Sequence, residues 1–163
     1  MIKLILYIFI FFNTSFVYSK EMSFACFFEE VYKNGDTQQG ILLIKNGKLR
    51  YQYNDMKLYT LIYDDDKLFM IKNDQTNKFE LVEHNKEIFN YLLNIYNDYP
   101  NLKKEYSASN FKFLVEKNND NSFIKRLAVI SNKLNLSIYL NGCKNTPINN
   151  LFFKYNPLFE YNL

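Results

Sequence analysis

From Phe24 onward, apolar and polar residues alternate in short runs. Asn-Gly-Asp, Asn-Gly and Asp-Asp-Asp break the runs, and this rhythm predicts a series of antiparallel β-strands. The clearest stretch is GILLIKNGKLRYQY, residues 40 to 53. Asn46-Gly47 supplies a tight turn, because glycine takes positive φ without steric cost and Asn tolerates it. In the second arm Leu49, Tyr51 and Tyr53 alternate with Arg50 and Gln52, so period two puts the apolar set on one face. The first arm, Ile41 to Ile44, is apolar at every position, the pattern of a strand covered on both faces.

The same reading extends along the chain. Phe24 to Tyr32 predicts a first strand with Phe24, Cys26 and Phe28 on one face and Ala25, Phe27 and Val31 on the other. Leu58 to Tyr63 is a strand, Asp64-Asp65-Asp66 a turn, and Leu68 to Lys72 and Lys78 to Val82 a further pair joined by a polar loop. Then the period changes. Ile88, Phe89, Leu92, Leu93, Ile95 and Tyr96 recur at helical spacing, with Asn85 placed to cap the start and Tyr99-Pro100 to stop the run. Residues 101 to 110 are polar and read as loop. Strands return at Phe111 to Val115, at Ser122 to Ile130 and at Leu134 to Leu140, with a turn at Asn141-Gly142 and a last strand over Leu151 to Tyr155. The sum is roughly nine or ten strands and one helix, with turns at the spacing of a barrel or sandwich.

The first 19 residues stand apart. Lys3 is a minimal positive region, Leu4 to Phe12 an apolar run too short to span a bilayer comfortably, and Val17-Tyr18-Ser19 a site a signal peptidase can read. This predicts a signal peptide over 1–19, cleaved near Ser19, with residues 20–163 as one exported domain. An uncleaved anchor is the alternative, and Ser23-Phe24-Ala25 before Cys26 is a poor lipobox. Of the 163 residues 16 are Phe and 14 Tyr, but these share A/T-rich codons with the abundant Asn, Lys and Ile, so part of the aromatic content reflects codon bias. The net charge of +3 is dispersed, and no basic stripe interleaved with aromatics points to nucleic acid.

Candidate chemistry is sparse. The two cysteines, Cys26 and Cys143, lie near opposite ends of the exported chain and can close a disulfide after export; two buried thiols are the alternative. The only histidine, His84, has no second His or Cys nearby to make a zinc set. Asp64-Asp65-Asp66 lacks the alternation and the bend glycine of a calcium loop and reads as a solvated turn. Four glycines are scattered singly, so no phosphate loop is present, and no serine sits in a nucleophile elbow. No metal, cofactor or enzymatic activity is expected from this pattern. What remains is an exported aromatic-rich sheet, whose concave face binds something apolar if it is incompletely filled.

A pattern of glycine, apolar strand, basic turn, aromatic-Arg-aromatic strand, further strand, acidic turn and short strand runs through Gly40, Ile41 to Ile44, Lys45 to Lys48, Leu49 to Tyr53, Leu58 to Tyr63, Asp64 to Asp66 and Leu68 to Ile71. With the helix at Glu87 to Asn94, the late strand NLSIYLNG and the terminal LFFKYNP, it resembles the periplasmic outer-membrane lipoprotein carrier family (LolA-like). The resemblance implies a mainly β fold, a strongly curved antiparallel sheet forming an open, unclosed β-barrel with one helix on or in its concave side. It implies a monomeric periplasmic carrier that holds the acyl chains of lipoproteins, or another lipid, and passes them from an inner-membrane releasing complex to an outer-membrane receptor. Two features depart from the family pattern. Only a few residues separate the expected cleavage point from Phe24, so the family's amphipathic helix before the first strand is either missing or replaced by a retained apolar N-terminus. The Arg-Pro turn is absent, with Lys45 the nearest positive group.

On that reading the cavity-lining candidates are Leu49, Tyr51, Tyr53, Leu61, Tyr63, Phe69, Phe89, Leu93 and Phe113. Ordinary core packing is the alternative for each, since a strand's inward face is apolar either way. The competing functional readings are an exported structural or interaction domain with a filled core, and an enzyme built on His84.

Overall fold

The structure, a computed structural model, describes residues 23–75, 78–84, 86–108, 110–118 and 123–154. The expected signal peptide, the cap at Asn85 and the segment around Pro157 lie outside the described residues.

Ten strands form one antiparallel sheet. They are β1 (Ser23–Tyr32), β2 (Thr37–Lys45), β3 (Lys48–Tyr53), β4 (Tyr59–Asp64), β5 (Lys67–Lys72), β6 (Phe79–Leu81), β7 (Glu105–Ser107), β8 (Lys112–Lys117), β9 (Ile124–Ile130) and β10 (Asn135–Asn145). The order across the sheet is β6-β5-β4-β3-β2-β1-β10-β9-β8-β7, so β1 joins the two halves and the sheet stays unclosed between β6 and β7. A single described α-helix, α1 (Lys86–Asn97), connects those two edge strands. A 3₁₀ helix at Asn150–Phe153 stands where the sequence pattern predicts a last strand; the Asn149 side chain caps it by accepting from the Leu151 amide at 2.9 Å.

Turn chemistry sets the register. Asn46 and Gly47 both take positive φ, 47° and 77°, as a two-residue hairpin matched to strand twist requires. Asp65 and Asp66 do the same at 51° and 62°, so Asp64 faces Lys67 and Tyr63 faces Leu68. Because side chains alternate, each pairing sends whole rows to one face or the other. Phe24, Cys26 and Phe28 of β1, Leu42 and Ile44 of β2, and Leu49, Tyr51 and Tyr53 of β3 join the main core with the helix. Leu136, Ile138 and Leu140 of β10 and Leu127 and Val129 of β9 extend it across the second half.

The opposite face of the first half is apolar too. Ala25 and Leu43 pack there with Ile148 and Phe153, and Ile62, Phe69 and Ile71 form a separate cluster. The uninterrupted run Ile41 to Ile44 has its reason here, because all four residues are buried although they alternate between faces. Polar ties hold the chain after β10 against this second face. Lys45 Nζ donates to the Ile148 carbonyl at 2.9 Å, and Arg50 Nη1 donates to the Phe152 carbonyl at 2.9 Å. Arg50 is fully buried and also donates to Gln52 Oε1.

Two local expectations give way to sheet pairing. Asn141-Gly142 has the residues of a chain-reversing turn, but both lie inside β10. The β1–β10 register shifts there, with Ala25 facing Lys144 and Phe27 facing Asn141, and Gly142 takes φ 59°. This is a β-bulge. The polar segment 101–110, loop by its pattern, contains the short β7, whose Tyr106 pairs with Phe113.

Candidate functional site

The helix carries its apolar arc toward the sheet face that holds the main core. Phe89, Leu92, Leu93, Ile95 and Tyr96 are all buried, and their spacing puts them on one side of the cylinder. Tyr91 stacks on Phe113 of β8, ring centroids 5.9 Å apart. At the other side Tyr96 packs near Phe24 and Phe123, with Tyr99 closing the group. The Tyr96 hydroxyl is buried with no hydrogen-bond partner among the described residues, and burial lifts its pKa well above the ordinary phenol value. Burying an apolar side chain contributes about 1.5–3 kcal/mol. The five buried residues of α1 therefore hold it down by roughly 8–15 kcal/mol.

Of the nine candidate lining residues, eight converge on this helix–sheet core. Leu49, Tyr51, Tyr53, Tyr63, Phe89, Leu93 and Phe113 are buried in it, and Leu61 is half-buried against it. Phe69 is not among them. The Asp65-Asp66 turn pairs Leu68 with Tyr63, so Leu68 takes the core position and Phe69 packs on the other face with Ile62 and Ile71. Leu49 and Phe113 have no exposed surface at all, so these positions are filled by packing in this structure.

A polar cluster that the sequence pattern barely announces sits on the core face of the sheet. Glu30 is buried, and three phenols aim at its carboxylate. Tyr51 donates to Oε1 at 2.7 Å, Tyr53 to Oε2 at 3.0 Å, and Tyr32 to Oε2 at 2.5 Å. Burial raises the pKa of Tyr51 and Tyr53, and the Glu30 charge raises it further. Tyr32 and Tyr59 shift the same way, again chiefly through burial. The sequence clue is thin: Glu30 shares the parity of Cys26 and Phe28, so period two puts an acid on the apolar face of β1.

Two clefts flank α1. The larger, about 1090 Å³, lies beside its first turn, between the segment leaving β6 and the turns joining β7 to β8 and β9 to β10. Ile88, Phe111, Ile130 and Leu134 give it an apolar part, and Glu83, Glu87, Lys86 and Lys133 are among its polar lining. The smaller, about 360 Å³, lies at the helix's later turns against the Asn46-Gly47 and Asp65-Asp66 turns, and takes in Tyr63 and Leu93. His84 lines the larger cleft, but no hydrogen bond among the described residues joins it to Ser107, Ser131 or a carboxylate. Among the described residues no group of three or more His, Cys, Asp or Glu could hold a metal ion.

The two cysteines form a disulfide, Cys26–Cys143, with Cα atoms 4.1 Å apart across the β1–β10 bulge. Lys45, the positive group nearest the place of the carrier family's Arg-Pro turn, holds the Ile148 carbonyl on the opposite face from α1. No protein-family model matches the chain, and comparison with curated proteins finds no relative.

Proposed function

We propose that this protein is an exported binder of acyl chains, holding them against the concave face of its sheet after α1 yields, and that it carries lipoproteins or another lipid across the periplasm. The observation that carries this reading is the seat of α1. One helix packs its apolar residues on one face of an unclosed sheet, it joins the two edge strands, and a cleft opens beside it at each end. The Cys26–Cys143 disulfide is compatible with an oxidising compartment. No covalent step is needed, and the donor and acceptor would be the membrane complexes implied by the resemblance to the carrier family.

Magnitudes constrain the cargo. Each buried methylene is worth about 0.8 kcal/mol, so a chain of about sixteen contributes roughly 13 kcal/mol, comparable to what holds α1 in place. One long chain offsets the displaced helix, and a second or third supplies net affinity. A multiply acylated ligand is therefore favoured over a single short chain.

A second reading rests on the burial of Leu49 and Phe113, which describes a finished core and a purely structural or protein-interaction domain. Native mass spectrometry of the chain purified from an oxidising periplasm separates the two. Adducts with the mass of phospholipid or triacylated lipopeptide support the binder. A bare mass that stays bare after addition of triacylated peptide, with no uptake of a fluorescent fatty acid by the parent chain, rules it out.

A further inference from the structure

The larger cleft is a candidate second half of the same site, an assignment that rests on the acyl-binding reading. Its apolar part, Ile88, Phe111 and Leu134, begins at Ile88, next to Phe89 and one helical turn from Leu92 of the core. Its charges are mixed. Glu83 and Glu87 stand with Lys86 and Lys133, and none of these four is spent in an ion pair among the described residues. Lys112, which also lines the cleft, is committed to Glu105 at 2.8 Å. A cavity that keeps both signs of charge beside an apolar floor is matched to an amphiphile whose head carries both signs too. A purely anionic head would meet the two glutamates, and a purely cationic one the two lysines.

We infer that this cleft receives a zwitterionic phosphate–ammonium headgroup. The lysines face its phosphate, the glutamates face its ammonium, and its acyl chains run under α1 toward the concave face. The cleft is open and its charged residues lie at its surface, so the head can bind before the helix moves.

Titration of the full chain with dihexanoyl-phosphatidylethanolamine, followed by backbone chemical shifts, tests this. The short chains keep the probe monomeric and too small to displace α1. Shifts are expected at Ile88, Phe111 and Leu134, with binding at least about fivefold tighter than for dihexanoyl-phosphatidylglycerol, whose head lacks the ammonium. Glu83→Gln with Glu87→Gln should erase that preference, and Lys86→Gln with Lys133→Gln should weaken both ligands by about tenfold. Equal affinity for the two heads, or the same shifts from inorganic phosphate alone, overturns the assignment. Fatty-acid uptake measured in parallel keeps the two readings apart. Uptake without headgroup discrimination removes only this inference, whereas discrimination without uptake removes the concave-face reading and leaves a headgroup site alone.

Discussion

The ring of Phe28 on β1 lies over Gly40, its register partner on β2, and fills the place a side chain would take. A Cβ at Gly40 would collide with the Phe28 ring and with the Gln52 carbonyl of β3. Phe28 in turn stacks on Tyr51 at 3.9 Å and meets Tyr53 edge-on at 5.5 Å. The bare backbone at Gly40 thus lets an aromatic layer run across three strands. Gly40→Ala should destabilise the fold by about 2–3 kcal/mol, the upper part of the range for overpacking, because one of the obstructing atoms belongs to the backbone. The urea midpoint measures it. A change under about 0.5 kcal/mol, the size of an ordinary surface substitution, would show that the ring moves aside at no cost.

The disulfide links β1 to β10, the pair that joins the two halves of the sheet, and spans 117 residues of sequence. Loop closure of that length restricts the unfolded chain by about 4–5 kcal/mol in the chain-entropy account. Replacing both cysteines by alanine should cost about 2–5 kcal/mol, and the oxidised protein should be about two mass units lighter than the reduced one. If the double variant unfolds at the same urea concentration as the parent, the bond is not formed in solution.

How much of this is legible in the sequence depends on parity. The hairpin at 40–53, the helix at 86–97 and the alternation in β10 are readable because period two and period 3.6 are local properties. The placing of Phe69 is not. Both Leu68 and Phe69 are apolar, both sides of β5 are covered, and only the two-residue turn at Asp65-Asp66 decides which one meets the helix. Asn141-Gly142 misleads for a related reason. A bulge opposite Cys26 and a hairpin turn ask for the same residues, and only the long-range β1–β10 pairing tells them apart. The large cleft is invisible to any local window, since separate segments of the chain assemble it.

The tyrosines around Glu30 make stability fall in alkali. Burial raises Tyr51 and Tyr53 above the ordinary phenol value near 10, and Tyr63, which donates to Asp66 at 2.6 Å, is pushed up to about 12. The folded chain therefore keeps protons that the unfolded chain releases above pH about 10. The stability these groups contribute is whole below that pH and is lost as pH rises through their folded values. Absorbance at 295 nm should show Tyr63 ionising near pH 12, and Tyr51 only as the fold opens. A single transition accounting for every tyrosine near pH 10, with the near-ultraviolet circular dichroism unchanged, would contradict this buried cluster.

Tyr96 joins good ring packing to an unsatisfied hydroxyl. Its ring packs in the aromatic group with Phe24 and Phe123, while its hydroxyl finds no acceptor among the described residues. An unsatisfied buried hydroxyl costs about 1–3 kcal/mol. Tyr96→Phe keeps the ring and removes the cost, so the variant should be more stable by about 1 kcal/mol or more, read as a higher urea midpoint. The same change fastens α1 more firmly to the sheet. If acyl chains enter by displacing the helix, uptake of a fluorescent fatty acid should weaken by about fivefold for each ~1 kcal/mol gained, because the ligand must overcome that much more to reach the concave face. A stabilised variant that takes up the probe as well as the parent would place the ligand elsewhere than under α1. A destabilised one would mean that the hydroxyl has a partner in solution.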